Sequence, residues 1–154
     1  MTSQTPSSVV VYIDGASKGN PGPSGIGIAV FSHADPKEPI KEVSKYIGTT
    51  TNNVAEYEAL IHALKWLITA KVQYATIKLD SELVYKQIIG KYKVRSPQMA
   101  IQLKRVKSMK AKIKACSFLL IPRSENKDAN RLAQKAAKKV KIARQSFTQE
   151  ELLK

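Results

Sequence analysis

The sequence predicts an α/β domain built on a mixed β-sheet. Five short apolar segments, several rich in β-branched residues, have the length and composition of strands. Turn-forming or polar segments separate the first three, which is typical of antiparallel neighbours. Segments of helical periodicity precede the last two, which is typical of crossover connections. Connected antiparallel strands therefore come before crossover units in the predicted sheet.

The first half of the chain supplies three predicted strands. Val9 to Ile13 is an unbroken apolar run that we expect to be covered on both faces and to end at Asp14. Residues 15–25 are dense in glycine, proline and serine, so the next strand, Ile26 to Phe31, is predicted to fold back on the first. A third strand is predicted over Ile40 to Ile47.

The second half alternates helices and strands. A helix is predicted over Asn52 to Ala70, because its apolar residues recur at helical spacing. A strand, Tyr74 to Leu79, follows and stops at Asp80. The remaining predicted elements are a helix over Ser81 to Ile89, a helix over Gln98 to Lys112, a strand over Ala115 to Ile121 and a last helix from about Asn126. Small residues in that last helix predict close packing.

Composition indicates one domain with a polyanionic partner. A chain of 154 residues with 43% hydrophobic residues buries one core. We predict a domain over residues 8–143, a disordered segment over 1–7 and a C-terminal tail over 144–154. The 26 Lys and Arg residues against 12 Asp and Glu residues give a formal charge of +14, which favours nucleic acid as partner. A basic surface that serves only solubility is the alternative.

Cysteine content and hydropathy indicate the compartment. Cys116 is the single cysteine, which excludes an intrachain disulfide and a multi-thiolate zinc site. The polar N-terminus has no apolar signal core, and no apolar run approaches the roughly 20 residues that span a bilayer. We therefore expect a cytoplasmic protein with no membrane association.

Three acidic residues are predicted to meet at one edge of the sheet. Asp14 and Asp80 follow strands, at the edge where open α/β sheets place ligands. Glu56 heads the apolar stripe of the first predicted helix, and a core-facing carboxylate needs a compensating charge. Taken singly, each has another interpretation: Asp14 as a turn residue, Asp80 as a helix cap and Glu56 as a helix N-terminal acid. Together they predict an oxygen-rich Mg²⁺ site.

Four ordered motifs resemble those of type 1 ribonucleases H. They are YIDGASKGNPGP (12–23), TTNNVAEYEAL (50–60), LDSELV (79–84) and IPRSENKDANRLA (121–133). The resemblance covers about Val9 to Val140. It implies the ribonuclease H-like fold: a five-stranded mixed sheet, three antiparallel strands then two parallel, with helices on both faces. It also implies a monomeric endonuclease that cuts the RNA strand of RNA–DNA hybrids.

The resemblance also implies a mechanism and a set of contacts. Two Mg²⁺ ions, replaceable by Mn²⁺, would act on the scissile phosphate and leave 5′-phosphate and 3′-hydroxyl ends. Asp14 would bridge the ions, and Glu56 and Asp80 would complete the site. Positions that match substrate contacts in the family are Gly15, Asn20, Thr51, Asn52, Asn53 and Glu82. Asn20 and Asn52 are alternatively a turn residue and an N-cap, and Glu82 stands where relatives often have a neutral amide.

Asn130 departs from the family pattern. Relatives have an aspartate there, the fourth carboxylate of the metal site, and an amide keeps one oxygen but loses the charge. The change is engineered, or it is a natural variant that works on three carboxylates, or the protein only binds nucleic acid. Asp128 is not a substitute, because two residues along a helix turn a side chain by about 200°. We predict a weakened enzyme.

The loop before the last helix also departs from the family. Many relatives carry a histidine there, whereas His33 and His62 are this chain's two histidines and both are predicted to lie away from the site. Arg123 is our candidate to replace the loop histidine by holding a phosphate, and Glu125 is the weaker candidate. Trp66 is predicted to be a core residue.

Basic residues without a single Asp or Glu run from Lys86 to Lys114, which fits contact with a nucleic-acid backbone. Three other functions stay open at this point. They are a non-catalytic nucleic-acid-binding module of the same fold, a transposase-like or structure-specific DNA nuclease, and a chaperone-like or ribosome-associated basic protein.

Overall fold

A five-stranded mixed sheet organises residues 5–138, the part of the chain that the computed structural model describes. Its strands are β1 (Ser8–Ser17), β2 (Gly22–Ser32), β3 (Pro39–Thr50), β4 (Tyr74–Leu79) and β5 (Ala115–Leu120). They lie in the order β3-β2-β1-β4-β5. β1 and β3 pair antiparallel with β2, whereas β4 pairs parallel with both β1 and β5. The predicted strand order and directions are confirmed.

Four helices connect or cover the strands. They are α1 (Asn52–Thr69), α2 (Glu82–Ile88), α3 (Pro97–Lys110) and α4 (residues 127–138), with a 3-10 turn at Arg123–Glu125 before α4. The hydroxyls of Thr51, Ser81 and Ser96 cap α1, α2 and α3 by accepting a backbone N–H bond three residues later. Thr51, rather than Asn52, is therefore the N-cap of α1, and Ser81, rather than Asp80, is the N-cap of α2.

The main core lies between α1 and one face of the sheet. Alternate residues of β1 (Val9, Val11, Ile13) and of its neighbour β2 are almost fully buried there against the apolar side of α1. Trp66 is partly buried and packs against this core, as predicted. The alternation follows from the two-residue side-chain period of a strand.

Helix α4 packs on the opposite face, over β2. A Cβ atom added to Gly27 would lie 2.0 Å from the carbonyl oxygen of Ala129, and one added to Gly25 would lie 2.6 Å from that of Ala133. The backbones of β2 and α4 lie in direct contact here because glycine and alanine are the two smallest residues. Helices thus cover both faces of the sheet, as expected.

Strand β1 is longer than the sequence predicts. It continues past Asp14 to Ser17, because β2 keeps pairing with it through Ser17 and Ser24. The prediction that this strand ends at Asp14 is therefore wrong. Asp14 instead follows the end of the parallel pairing with β4, which stops at Tyr12 and Lys78.

Some sequence predictions fall outside the described part of the chain. These are the tail over residues 144–154, the last residues of the predicted domain and residues 1–4 of the predicted disordered segment. Ser7, within that segment, accepts backbone hydrogen bonds from Gln73 and Tyr74. Over residues 5–138, helices are too short or too polar to cross a bilayer.

Candidate metal and nucleic-acid site

Three carboxylates from separate elements meet at the end of the β1–β4 pairing. Asp14 and Asp80 each lie two residues beyond the last paired residues, Tyr12 and Lys78, so they occupy equivalent positions on adjacent parallel strands. Glu56 reaches them from α1. One oxygen from each of the three side chains lies within 4.8 Å of the others. The predicted convergence is therefore present.

Close contact between β1 and α1 brings Glu56 into the cluster. A Cβ atom on Gly15 would lie 2.3 Å from the carbonyl carbon of Ala55, so only glycine permits this approach. The Gly15 N–H donates to Glu56 Oε1 at 2.9 Å. The other oxygen, Oε2, is buried and has no hydrogen-bond partner among the described residues.

Burial and mutual repulsion make the cluster costly to charge. Glu56 is 5% exposed, and its pKa is raised well above the usual range, first by burial and then by the adjacent Asp14 carboxylate, to which only a protonated Glu56 could donate a hydrogen bond. Burial and the charge of Asp14 also raise the pKa of Asp80, while the Asn126 amide and Arg123 oppose the rise. A cation bound between these groups would remove the repulsion.

Two asparagine amides hold the aspartates in place. Asn130 Nδ2 donates to Asp14 Oδ2 at 2.8 Å. Asn126, which is fully buried, donates from Nδ2 to Asp80 Oδ2 at 2.7 Å and to the Ile13 carbonyl oxygen at 2.8 Å. Asn126 therefore connects both parallel strands at the site.

Asn126 is a site residue that our sequence reasoning missed. It belongs to the motif IPRSENKDANRLA, in which the sequence by itself points to Arg123, Glu125 and Asn130. A signal was present: Asn126 lies three residues before Ala129 and so begins the apolar stripe of α4 with a polar side chain. Gln134, one turn after Asn130, was missed as well and lines the site cavity.

A cavity of about 300 Å³ brings most of the predicted residues together. Its lining includes Gly15, Asn52, Asn53, Glu56, Asp80 and Arg123. Arg123 Nη1 lies 3.8 Å from Asp80 Oδ1, and its side chain is 63% exposed. Asn20 and Thr51 are adjacent to the cavity: Asn20 Oδ1 accepts the Asn52 N–H at 3.0 Å, and Thr51 caps α1.

Other predicted residues lie elsewhere. Glu82 bonds Lys86 at 2.7 Å, with 60% of its side chain exposed, and does not line the cavity. Asp128 points away, towards Arg131 at 3.8 Å, as the helical rotation predicts. His62 bonds the Glu58 carbonyl oxygen within α1, and His33 is exposed after β2. Neither histidine belongs to the acidic cluster.

The donor set fits a hard divalent cation. Every side chain in the cluster offers oxygen, and Mg²⁺ takes few protein oxygens together with water and phosphate oxygens. The unpartnered Oε2 of Glu56 is the strongest indication, because a buried carboxylate oxygen is rarely left without a donor or a cation. Asp14, Glu56 and Asp80 can hold such an ion, and the Asn130 amide oxygen can join them after a side-chain rotation.

Comparison with known proteins identifies the family. The family model described as reverse transcriptase-like matches residues 12–136, which include all three acids. The chain belongs to the reverse transcriptase-like family of ribonuclease H-like domains. This ribonuclease H-like domain is 36% identical over 128 residues to the bifunctional protein Rv2228c of Mycobacterium tuberculosis, a match that covers 83% of this chain and 35% of that protein.

A second relative agrees with that assignment. The domain is 34% identical over 128 residues to ribonuclease HI of Halobacterium salinarum, covering 83% of this chain and 63% of that protein. The chain thus spans about a third of the length of the mycobacterial relative and under two thirds of the archaeal one.

Solved structures share the fold closely. The N-terminal RNase H domain of Rv2228c from Mycobacterium tuberculosis superposes with a TM-score of 0.80 at 34% identity, covering 84% of this chain and 98% of that chain. LC11-RNase H1, isolated from compost and solved in complex with an RNA/DNA hybrid, superposes with a TM-score of 0.79 at 36% identity, covering 86% and 98%. The ribonuclease H-like fold is therefore shown.

Proposed function

We propose that this protein is a ribonuclease H that cuts the RNA strand of RNA–DNA hybrids by two-metal-ion catalysis. The observation that carries the proposal is the meeting of Asp14, Glu56 and Asp80 within 4.8 Å, with one Glu56 oxygen that has no partner in residues 5–138. Similarity to proteins named ribonuclease H, one solved with a hybrid, supports the choice of reaction and substrate.

The carboxylates would hold two Mg²⁺ ions, with Mn²⁺ as a substitute, and Asp14 would contact both. Bound there, such ions supply an activated water and stabilise negative charge on the leaving oxygen, which gives 5′-phosphate and 3′-hydroxyl ends. Asn126 fixes the Asp80 carboxylate by bonding one of its oxygens and the β1 backbone. Arg123 is exposed beside Asp80 and is placed to hold a phosphate oxygen.

Recognition of the hybrid would depend on the polar groups at the start of α1. Asn52 Oδ1 accepts the Ser17 N–H at 3.0 Å, and Asn20 Oδ1 accepts the Asn52 N–H, so the loop after β1 is joined to the first turn of α1. Within the described residues, the side-chain N–H groups of both asparagines stay available as donors, and Asn53 lies beside Asn52 in the cavity. Such groups can distinguish a strand with 2′-hydroxyls from one without.

Asn130 is expected to weaken this activity. Its amide donates to Asp14 where a fourth carboxylate would attract a cation. This contact is also the observation that favours the second candidate function, a module that binds hybrid without cutting it, since the amide partly neutralises Asp14 without a metal.

The Asn130→Asp variant separates the two functions. We expect it to cut hybrid about tenfold or more faster than the parent, because a ligand of the ions is restored. Labelled hybrid with Mg²⁺, and again with Mn²⁺, is the assay. Hybrid cleavage should leave 5′-phosphate ends, and Asp14→Asn should abolish it in either background.

Duplex DNA and duplex RNA are the control substrates. If Asn130→Asp cuts nothing, the protein is not a ribonuclease H. If it cuts duplex DNA as fast as hybrid, it belongs with the DNA nucleases of the same fold. A monomeric, cytoplasmic enzyme stays a prediction.

A further inference from the structure

Within residues 5–138, helix α4 leaves half of its side of the sheet uncovered. It packs over β2 at Gly25 and Gly27. On the same side, β4 and β5 present Tyr74, Lys78 and Leu119. Tyr12 of β1 pairs with Lys78, and Lys78 pairs with Leu119, whereas Tyr74 lies four residues before Lys78 on the same strand. Tyr74 is 40% exposed and Leu119 is 46% exposed. We call this surface the open sheet face.

Two cavities lie next to each other on the open sheet face. One, of about 500 Å³, is lined by Tyr12, Phe31 and Lys78 among others. The second, of about 800 Å³, is lined by Tyr74, Thr76 and Ser117 together with the end of α3. His33 lines both, so the two cavities form one surface. Neither contains Asp14, Glu56 or Asp80.

Lysines dominate the charge of this surface. Four lysines line the two cavities on this side of the sheet (Lys37, Lys78, Lys114 and Lys127), against two acids, Glu125 and Asp128. Lys110 belongs to α3 and lies over the Phe118 ring on the other side. Asp128 is partly neutralised by Arg131 at 3.8 Å. The surface is therefore complementary to a polyanion.

Aromatic rings are interleaved with these lysines. Lys78 Nζ lies 5.3 Å from the centre of the Tyr12 ring, and Lys114 Nζ lies 5.5 Å from the centre of the Tyr74 ring. Each pair places a cation over a face of an aromatic ring. A single nucleic-acid strand presents phosphates and base faces, the two groups that such lysines and rings contact.

We infer that the open sheet face binds single-stranded nucleic acid, with phosphates on the lysines and bases stacked on Tyr12 and Tyr74. A single strand fits better than a duplex, because bases within a duplex do not expose their faces to a protein surface. Tyr12 and Lys78 lie two residues, about 7 Å, before Asp14 and Asp80 on the same strands. This second site lies beside the acidic cluster and is independent of it.

Binding of labelled 12-nucleotide DNA and RNA strands, measured by fluorescence anisotropy without divalent ions, tests this inference. The variant Lys78→Gln/Lys114→Gln/Lys127→Gln removes three charges from the surface. We expect it to lose tenfold or more in affinity and to lower the slope of log affinity against log salt by about 2. The control Lys41→Gln/Lys45→Gln/Lys65→Gln removes three exposed charges elsewhere and should change neither value by as much.

Variants of Tyr74 test the same inference independently of the lysines. Tyr74→Ser should weaken binding about fivefold or more with the salt slope unchanged, whereas Tyr74→Phe, which keeps the ring, should bind like the parent. If the triple lysine variant does not fold, the comparison of Tyr74→Ser with Tyr74→Phe still tests the inference. DNA and RNA strands run in parallel show which sugar is preferred.

Three results would overturn the inference. They are equal losses in the two triple variants, no difference between Tyr74→Ser and Tyr74→Phe, and displacement of the strand by poly-glutamate as readily as by unlabelled oligonucleotide. Asp14→Asn should bind single strands like the parent. A failure of cleavage is thereby distinguishable from a failure of this second site.

Discussion

Glu56 connects stability with function at the scale of a single residue. Its carboxyl group is buried beside Asp14, and one of its oxygens has no partner among the described residues. A charge in such surroundings destabilises the fold until a cation joins it. The same arrangement provides the affinity for that cation, so the residue that weakens the metal-free fold is the one the proposed activity needs.

Glu56→Gln is expected to stabilise the metal-free protein at neutral pH by about 1 kcal/mol while abolishing hybrid cleavage. Glutamine can still accept the Gly15 N–H but carries no charge. Because the folded-state pKa of Glu56 is raised, its unfavourable contribution appears as the pH rises from the ordinary glutamate pKa of 4.5 through that raised value.

The advantage of the variant should therefore be large at pH 7 and shrink as the pH falls towards 4.5. Urea unfolding of both proteins in EDTA across this range provides the measurement. If the difference in free energy of unfolding between the two proteins is constant with pH, or grows as the pH falls, the assignment of a raised pKa to Glu56 is contradicted.

Asn126→Ala tests whether the buried amide positions Asp80. The change leaves the Ile13 carbonyl oxygen and Asp80 Oδ2 without their donor. We expect the rate of hybrid cleavage to fall about tenfold to a hundredfold. The Mg²⁺ concentration that gives half-maximal cleavage should rise. A merely structural role would lower the melting temperature without moving the Mg²⁺ dependence, and that result would remove Asn126 from the site.

At the scale of elements, the position of α4 depends on two glycines of β2. Gly25 and Gly27 let the helix backbone approach the sheet. Ser44 Oγ, which donates to the Leu132 carbonyl oxygen at 2.6 Å, and Arg131, which pairs with Glu42 at 3.2 Å, tie the helix to β3 as well. The packing of α4 thus sets where Asn126 and Asn130 lie relative to the acids.

Gly27→Ala is expected to cost about 3 kcal/mol of folding free energy and to lower activity, because its Cβ would lie 2.0 Å from the Ala129 carbonyl oxygen and displace α4. Gly48→Ala is the control. Its Cβ would meet nothing within 4 Å, so only its φ of +91° opposes the change, at about 1 kcal/mol. Chemical unfolding and hybrid cleavage measure the two effects. Equal costs for the two variants would show that α4 does not depend on Gly27.

At the scale of the whole molecule, the acidic site is assembled from parts distant in sequence. β1, α1, the residue after β4 and α4 each contribute a side chain, and 41 residues separate Gly15 from its partner Glu56. A cation that binds only when these elements are together stabilises the folded state by mass action. Cation binding at this site is therefore linked to the free energy of folding as well as to the proposed catalysis.

Mg²⁺ at a hundredfold excess over its dissociation constant should stabilise the protein by about 2.7 kcal/mol, seen as a melting temperature higher by several degrees. Asp14→Asn, which loses a ligand, should show a much smaller shift. NaCl at matched ionic strength controls for general screening. A shift of the same size in both proteins would place the bound cation elsewhere.

The acidic residues of the site could be predicted because the sequence shows the periodicity of the helix and strands that carry them. Glu56 was identifiable because it continues an apolar stripe, and Asp80 because it follows a strand that the structure places at the predicted residues. Asn126 carried the same signal and was missed, since an amide at a helix start is ordinarily interpreted as a cap. Asp14 lies in the acidic cluster although the strand continues past it, because the end of β1 is set by pairing with β2.

The amino-acid sequence by itself determined the order and type of the elements, the three acids and the family resemblance. These depend on local periodicity and on residue identity, which the chain carries directly. Only the tertiary structure decided that Asn126 joins two strands and, for the part of the chain that it describes, that α4 leaves β4 and β5 uncovered and that Glu56 Oε2 lacks a partner. Such features depend on distances between elements far apart in the chain, which no local pattern encodes.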